Sequence, residues 1–320
     1  MTLLVSIIIP VFNGEAHIHE CIASAINQTY QNIEIIVVDN GSTDGTREIL
    51  KSFKDERINI IETANNGACK ARNIGFTHSK GDYIQFLDSD DYLSHNKIEE
   101  QLKVLENTSE HIAICKTLIV KDGITFSEPS SIDDPWLVDS NNPFDFLLNL
   151  YGHYGMIQTN VWLVPRVLII KAGLWNEELK QDQDGEFYCR VVLGAKGIKF
   201  SKFAINYYRR YLNHNNIGNN KSLMAVSSTI KALDLKASYL LAHNDSKETE
   251  EVIAMHYKVL AVRYYGVYPS LYNEAMAKCI ALNNSSFIPV MGGRTVQALT
   301  RVLGWKYTKK LILLKNGKNL

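Results

Sequence analysis

Short apolar runs alternate with amphipathic stretches along the first 120 residues of this chain. The apolar runs predict strands, and Val5–Ile9, which is β-rich and apolar throughout, predicts one that is buried on both faces, while the stretches between the runs repeat apolar residues at helical spacing. The predicted strands are Val5–Ile9, Ile33–Val38, Ile58–Ile61 and Tyr83–Leu87, and the predicted helices are residues 18–26, Arg47–Phe53, Gly67–His78 and Lys97–Asn107. This alternation predicts an α/β fold: a doubly wound, mostly parallel sheet with right-handed crossovers and helices on both faces.

The pattern becomes more varied after residue 110. Ile112–Val120 and Ile124–Phe126 flank Lys121-Asp122-Gly123, which predicts a hairpin, and a loop-like stretch follows at Glu128–Pro143. Order resumes in Val161–Leu174, a helix is predicted at Gly185–Leu193, and edge strands are predicted at Ile198–Phe200 and Ala204–Tyr208. From about Ser222 the pattern is helical, so we predict one domain at residues 1–220 and a helical C-terminal region at 221–320.

Composition is ordinary for a globular protein, but the charge is unevenly distributed. The 34 basic and 34 acidic residues balance over 320 residues, yet eight bases and no acid follow Glu274. The five cysteines include no C-x-x-C pair, which argues against a disulfide framework or a zinc site and favours a reducing compartment. The N-terminal apolar run is short, lacks a basic flank and is closed by Pro10, and no apolar run is long enough to span a bilayer. We therefore expect a cytoplasmic protein.

Polar and glycine-rich segments follow each of the four predicted strands. In an open parallel sheet, ligands bind beyond the carboxyl ends of the strands. Asn-Gly-Ser-Asp runs are also ordinary turn chemistry, but four of them in register indicate a shared site. The segments are Pro10–Glu15, Asp39–Asp44, Asn65–Gly67 leading into Ala71-Arg72-Asn73, and Asp88–Asp91.

The acidic segment after the fourth strand is the most specific of these. Asp88, Asp90 and Asp91 place three carboxylates within four positions, and they repel one another unless a cation lies between them. A hard divalent ion bound by one or two carboxylates and diphosphate oxygens meets that need. The alternative is a helix cap, with Asp90 or Asp91 capping a helix that begins near Ser94.

The ordered motifs of this chain resemble the signature of family 2 glycosyltransferases. These are inverting enzymes with the nucleotide-diphospho-sugar transferase (GT-A) fold, and the resemblance covers residues 4–210. It implies a nucleotide-binding half at 1–110 and an acceptor half at 111–220. The motifs are Pro10–Asn13, Val38–Asp44, Ala71-Arg72-Asn73-x-Gly75 and Gly81–Asp91.

The resemblance also implies roles for individual residues. Pro10 and Phe12 would line the base pocket, Asp39 would accept from the nucleobase, and Asp90 would coordinate Mn²⁺ or Mg²⁺. The alternatives are that Phe12 belongs to the core and that Arg72 forms an ordinary ion pair at the acidic edge. The full nucleotide-binding set is Pro10, Phe12, Asn13, Asp39, Asn66, Arg72 and Asp88.

Inverting transfer needs a base on the side of the sugar opposite the leaving diphosphate, because an acceptor hydroxyl is a poor nucleophile until it loses its proton. Gly173–Glu177 followed by Gln183–Phe187 resembles the family's second signature, which makes Asp184 the base. Gln183 stands where the family usually has Glu. Asp182 and Glu186 compete for the role, although Asp182 also fits a helix cap and Glu186 an i,i+4 pair with Arg190.

Other candidate residues carry weaker signals. Tyr208-Arg209-Arg210 and His214 lie where the family often has groups near the diphosphate, but adjacent arginines also occur on solvated loops. Trp162 and Trp175 could stack on sugar rings or belong to the core.

The C-terminal segment Gly304–Lys318 mixes Trp305, Tyr307 and Leu311–Leu314 with five lysines. This mixture suits an interfacial helix on an anionic membrane, here the inner face of the cytoplasmic membrane. The alternative is a C-terminal helix packed on its own domain, with its lysines in water. Without an accompanying nucleic-acid motif, binding to RNA or DNA is not expected.

These features together predict an inverting glycosyltransferase of surface polysaccharide or glycoconjugate assembly. Its donor would be a nucleotide-diphospho-sugar, and its acceptor a glycan or a polyprenol-diphosphate-linked saccharide. One alternative is a sugar nucleotidyltransferase, which needs a basic, glycine-rich phosphate loop that Val11–Gly14 does not supply. The other is a catalytically weak nucleotide-sugar-binding protein on the same fold, although Asp88, Asp90 and Asp184 are all present.

Overall fold

The computed structural model describes residues 3–121, 134–210 and 222–315. The chain divides into two compact units, Met1–Asn220 and Lys221–Leu320. The strands of the first unit are β1 Val5–Val11, β2 Ile33–Asp39, β3 Ile58–Glu62, β4 Tyr83–Phe86, β5 Tyr92–Leu93, β6 His111–Lys121, β7 Val164–Pro165 and β8 Gly197–Arg210. Its helices are α1 Ile18–Ile26, α2 Thr46–Ser52, α3 Ala68–His78, α4 Lys97–Leu105, α5 Pro143–Gly152, α6 Arg166–Ala172 and α7 Gln183–Leu193.

The main sheet has the order β3-β2-β1-β4-β7. The first four strands in this order are parallel, and the short β7 pairs antiparallel with β4. The predicted strands and the parallel, doubly wound sheet are confirmed. Because β1 to β4 run in the same direction, the segments that follow them meet at one edge of the sheet.

Strand β1 is buried on both faces, as its continuous apolar sequence predicts. Every second residue from Val5 to Val11 lies on one face of the strand and packs in a core cluster with residues of α1. On the other face, α3 comes so close that a Cβ on Gly75 would lie 2.4 Å from Cγ2 of Ile8. The glycine in the Ala71–Gly75 motif is therefore required by helix–sheet packing.

A second sheet of three strands has the order β5-β8-β6. Strand β8 pairs antiparallel with β5 and parallel with β6, with a register shift between Cys115 and Lys116. The two edge strands predicted at Ile198–Phe200 and Ala204–Tyr208 are in fact this one strand, so that prediction was wrong in its division. The turn and second strand of the predicted hairpin at 122–126 lie outside the described residues.

A lysine lies in the core between the two sheets. Lys97 is fully buried at the start of α4, and its Nζ donates to Oε1 of Gln85 and to Oε1 of Gln101, the latter at 2.6 Å. Burial lowers the pKa of Lys97 from 10.5 to about 8, while the nearby Cys115 opposes the change. The charged ammonium group of Lys97 is therefore hydrogen-bonded to two neutral amide oxygens.

Stability should consequently rise with pH in alkaline solution. Between pH 8 and 10.5 the unfolded chain keeps the Lys97 proton and the folded chain loses it, so raising the pH favours folding. We expect the free energy of unfolding to gain about 2 kcal/mol from this group between pH 7 and 9.5. Urea unfolding across this range should show the gain in the wild type and in a Lys51→Met control, because Lys51 is exposed. Lys97→Met should lack the gain, and an equal slope in both variants would contradict the assignment.

The second unit is helical in its described part. Its helices are α8 Leu223–His243, α9 Lys247–Tyr264, α10 Pro269–Ala281 and α11 Arg294–Lys315. Ser222 and Ser246 cap α8 and α9 by accepting from the N–H groups of Ala225 and Thr249. Helix α11 is interrupted at Gly304, whose φ of +76° is not helical. Within the described ranges, we find no helix whose length and apolar character would let it cross a membrane.

Candidate active site

The segments after β1 and β2 are tied together by hydrogen bonds. The N–H of Asn13 donates to Oγ of Ser42 at 3.0 Å, and Oδ1 of Asn13 accepts from the N–H of Thr43 at 2.8 Å. Asn13 has a φ of +51°, which asparagine tolerates better than most residues. These bonds leave the neighbouring Phe12 at the sheet edge with 47% of its surface exposed, so the interpretation of Phe12 as a core residue was wrong.

Pro10 lies inside β1, in the part that continues past β4. Proline cannot donate to a sheet ladder and is rare in central strands. The carbonyl of Ile8 accepts from the N–H of Leu87, and Pro10, two residues later, has the same orientation in the strand. The nitrogen of Pro10, which carries no hydrogen, therefore points to a position beyond Phe86, the last residue of β4. A proline at this point costs the sheet no hydrogen bond and stiffens the approach to Phe12.

Asp39 ends β2 as a fully buried carboxylate. Its Oδ1 accepts from the N–H of Ser42 at 2.9 Å, and its Oδ2 accepts from Nε of Arg47 at 2.8 Å. Burial opposes its charge, but the hydrogen bonds from Ser42 and Arg47 outweigh burial and hold the pKa of Asp39 below its ordinary value. The group is therefore ionised at neutral pH.

The loop after β3 is hydrogen-bonded to the loop after β2. The N–H of Asn66 donates to Oδ1 of Asn40 at 3.0 Å, and Nδ2 of Asn66 donates to the carbonyl of Ala64 at 2.9 Å. Asn66 is exposed and Asn40 is buried, so Asn40 anchors this loop from beneath.

Arg72 joins three parts of the site. Its Nη2 donates to Oδ1 of Asp88 at 2.6 Å, and its Nη1 is 3.5 Å from Oε1 of Gln183. The guanidinium lies 4.4 Å from the ring centroid of Trp175. Burial opposes its charge, but the Asp88 carboxylate raises the pKa of Arg72 above its ordinary value. The ion pair that the sequence allowed is therefore present, and it links the end of β4 to the start of α7.

The three aspartates after β4 have different surroundings. Asp91 is buried, and it accepts from the N–H of Arg209 at 2.7 Å and from the side-chain amide of Asn160. Burial first, and then Asp90 and Asp88, raise the pKa of Asp91 well above its ordinary value. Asp88 and Asp90 are partly exposed. Asp91 therefore anchors the turn, and the other two carboxylates are left at the sheet edge.

The helix-cap alternative for these aspartates was wrong. Helix α4 begins at Lys97 with Asn96 at its N-cap, and β5 lies between the acidic turn and that helix. The carboxylates of Asp90 and Asp91 are therefore not explained by helix capping.

The donor set at this edge fits a cation that shares its coordination with a ligand. Among the described residues, no group of three or more His, Cys, Asp or Glu side chains could hold a metal ion. Asp88 and Asp90 would supply one or two carboxylate ligands, and phosphate oxygens would supply others. Magnesium and manganese are commonly bound in this way.

Asp184 lies in the first turn of α7, near Arg72. Burial first, and the neighbouring Asp182 second, raise the pKa of Asp184 above its ordinary value, while the N–H of Gly185 and Arg72 partly oppose the rise. Asp88 also acts on Asp184 by charge repulsion. The charge of Asp184 is therefore coupled to that of Asp88, and Arg72 interacts with both carboxylates.

Of the two competitors of Asp184, Glu186 has another role. Glu186 is buried, and both of its oxygens bind Arg190, at 2.7 and 3.0 Å, which confirms the predicted i,i+4 pair. Arg190 also donates to the carbonyls of Gly173 and Leu174, so the pair fastens the segment before α7. Asp182 occupies the N-cap position with a φ of +56°, but its side chain makes no capping hydrogen bond.

Comparison with known families identifies the segment that carries most of these residues. The model described as glycosyl transferase family 2 matches residues 6–163. This segment of the chain belongs to glycosyl transferase family 2. This confirms the resemblance of the ordered motifs, and it places β1 to β4 and the acidic turn within the matched part of the family 2 domain.

Relatives and solved structures agree with this assignment. A glycosyltransferase of Haemophilus influenzae is 40% identical over 164 residues, which make up 49% of this chain and 60% of the relative. The chain thus spans about three fifths of that relative's length. UDP-Glc:alpha-D-GlcNAc-diphosphoundecaprenol beta-1,3-glucosyltransferase WfaP of Escherichia coli is 29% identical over 272 residues, 82% of this chain and 93% of the relative.

The fold is shared with solved structures of S. aureus TarS. The crystal structure of S. aureus TarS 1-349 aligns with a TM-score of 0.67 at 17% identity, covering 99% of this chain and 92% of that one. The same fragment in complex with UDP-GlcNAc aligns with a TM-score of 0.66. The predicted GT-A fold is confirmed.

Two buried asparagines of the family 2 domain were not predicted as site residues. Asn160 accepts from the N–H of Asp88 at 3.0 Å and donates to Asp91, so it holds both ends of the acidic turn. Asn73 exchanges two hydrogen bonds with the backbone of Trp175, both of 3.0 Å. Asn73 belongs to the Ala71–Gly75 motif, whereas nothing in the local sequence around Asn160 indicates its role.

Arg209 lies in strand β8, so the alternative that placed it on a solvated loop was wrong. Its Nε donates to the carbonyl of Asp90 at 3.0 Å, and its Nη2 pairs with Glu20 at 2.5 Å. Arg209 therefore braces the acidic turn from the second sheet. His214 lies outside the described residues.

The two tryptophans considered for stacking on sugar rings belong to the core. Trp162 and Trp175 are each 2% exposed. Trp162 stacks on Tyr188 with ring centroids 4.7 Å apart, and Trp175 stacks on Phe187 at 4.1 Å. The core alternative is confirmed for both, and Trp175 also supports the guanidinium of Arg72.

Proposed function

We propose that this chain is an inverting glycosyltransferase that moves a sugar from a nucleotide-diphospho-sugar to an acceptor hydroxyl. The observation that carries the proposal is the network of Asp88, Arg72 and Asp184. It couples an acidic edge at the end of β4 to a carboxylate of raised pKa on α7. Membership of glycosyl transferase family 2 supports the same chemistry.

The nucleotide would bind over the ends of β1 to β3. Phe12 offers an exposed ring, stiffened from behind by Pro10, on which a base can stack. Asp39, an ionised carboxylate at the end of β2, would accept a base N–H. Asn13 and Asn66 would shape the rim, because their backbone N–H groups already tie the loops after β1 and β3 to the loop after β2.

The diphosphate would lie at the acidic edge. Asp90 would hold a Mn²⁺ or Mg²⁺ ion, with Asp88 beside it. Such an ion, when bound, neutralises charge on the departing nucleotide. Arg72 holds the Asp88 carboxylate in place, and its guanidinium is positioned to attract phosphate oxygens.

Asp184 would take the proton of the acceptor hydroxyl. A carboxylate of raised pKa is a stronger base than one in water. Gln183, in place of the family's usual Glu, adds no charge beside Asp184 and binds Arg72 through Oε1. The neutral neighbour therefore avoids a second carboxylate that would compete with Asp88 for Arg72.

Relatives suggest the class of donor and acceptor. The TarS fragment was solved with UDP-GlcNAc, and the E. coli relative is named for glucosyl transfer from UDP-Glc to a diphosphoundecaprenol-linked sugar. We propose a uridine diphosphate donor and an acceptor that is a glycan or a polyprenol-diphosphate-linked saccharide. The reaction would belong to surface polysaccharide or glycoconjugate assembly.

A thermal-shift panel of UDP-, GDP- and dTDP-sugars, with and without Mn²⁺, tests this proposal. A ligand at about 100 times its Kd stabilises by about 2.7 kcal/mol, which is a rise of about 5 °C in Tm for a domain of this size. We expect UDP-sugars to give that rise only with Mn²⁺ present. No shift with any nucleotide sugar would overturn the proposal, and a shift without measurable transfer to any acceptor would favour a binding protein.

A further inference from the structure

Helix α11 carries an apolar stripe on its exposed side after the break at Gly304. Tyr307, Leu311 and Leu314 follow one another at spacings of four and three residues, which places them on one face of a helix. They are 69%, 47% and 57% exposed. We call these three residues the outer stripe.

The opposite face of the same segment is already used within the second unit. Thr308 and Leu313 are buried, and Trp305 packs edge-on against Tyr265 with ring centroids 5.2 Å apart. Lys258 lies over the same indole ring, 5.7 Å from its centroid. The segment is therefore anchored on one side, and the outer stripe is not part of the core that this unit buries.

Lysines border the outer stripe on both sides. At 100° per residue, Lys306 and Lys310 lie on one flank of the stripe and Lys315 lies on the other, and all three are exposed. The chain has no Asp or Glu after Glu274, so no acidic side chain of this segment offsets their charge. Long lysine side chains beside an apolar stripe can reach upward to phosphate groups while their stems stay with the apolar residues.

We propose that the outer stripe binds the surface of an anionic lipid bilayer. The three apolar side chains would enter the headgroup boundary, and the flanking lysines would contact lipid phosphates. A second copy of this chain fits less well, because a symmetric pairing of two outer stripes would bring lysines against lysines. This inference does not depend on the sugar-transfer reaction.

Vesicle flotation with the full chain tests it, using phosphatidylcholine vesicles with and without about 30% phosphatidylglycerol. We expect binding to the anionic vesicles to exceed binding to the neutral ones by about tenfold or more and to fall in 0.5 M salt. Tyr307→Ser/Leu311→Ser/Leu314→Ser should lose about tenfold or more in binding. Lys306→Gln/Lys310→Gln/Lys315→Gln should lose the preference for anionic lipid.

A matched control removes three exposed apolar residues from the first unit. Val167→Ser/Ile170→Ser/Phe203→Ser changes residues that are 53%, 63% and 67% exposed, and it should float like the wild type. Circular dichroism melting checks that each variant is folded. Equal binding by the stripe and control variants, or no flotation of the wild type, would overturn the proposal. So would a dimer that dissociates only in the stripe variant.

Discussion

Replacing Asp184 by Asn is expected to lower turnover by about three orders of magnitude while leaving nucleotide affinity within about twofold of the wild type. Asn keeps the shape of the side chain but cannot accept the acceptor's proton. Asp184 is on α7 and is not one of the residues proposed to bind the nucleotide, so the donor should still bind. Turnover at saturating donor and acceptor, with donor affinity from calorimetry, measures both quantities.

The neighbouring aspartate provides the matched control. Asp182→Asn makes the same chemical change two residues earlier, at the N-cap of the same helix, and it should keep most of the activity. Its loss also removes a charge that raises the pKa of Asp184, so the acidic limb of its pH–rate profile should move to lower pH. Near wild-type turnover in Asp184→Asn, together with an inactive Asp182→Asn, would reverse the assignment.

The sequence was sufficient to predict the main sheet, because its central strands are buried and mostly apolar. Strands β1, β2 and β4 are each followed by polar or glycine-rich residues, and parallel pairing brings those segments to one edge. The second sheet was harder to predict. Strand β5 has only two residues, too few to show a period, and β8 continues through the partly polar Ser201-Lys202-Phe203.

The site was predictable where a residue's role follows from its position at a strand end. It was not predictable where the role depends on which way a side chain turns. Asp88, Asp90 and Asp91 look alike in sequence, but only Asp91 turns inward to Arg209 and Asn160. That choice is made by the second sheet, which lies more than 100 residues away along the chain.

The pairing of Arg72 was open for a similar reason. Helical spacing predicts that Arg72 lies on α3, but not that Asp88 and Gln183 both reach its guanidinium. The two partners come from different elements, and the indole of Trp175 fixes the plane in which they meet. Local sequence contains no signal for a contact of this kind.

Asp90 is the residue on which metal binding should depend most. Substitution by Asn removes the negative charge and retains the size, so the fold should be preserved while the cation loses a charged ligand. Turnover in Mn²⁺ should fall by about 100-fold or more, because several kcal/mol of charge stabilisation are withdrawn. Asp82→Asn is the control, since Asp82 is exposed and lies at the opposite end of the same strand.

The central claim is that the carboxylates after β4 bind a sugar nucleotide's diphosphate through a divalent cation. Calorimetric titration of UDP into the wild type, Asp82→Asn and Asp90→Asn, each with and without Mn²⁺, tests it most directly. The account predicts that Mn²⁺ tightens UDP binding by about 100-fold in the first two proteins and by less than about threefold in Asp90→Asn. If Mn²⁺ strengthened UDP binding equally in all three proteins, or in none, the claim would be contradicted.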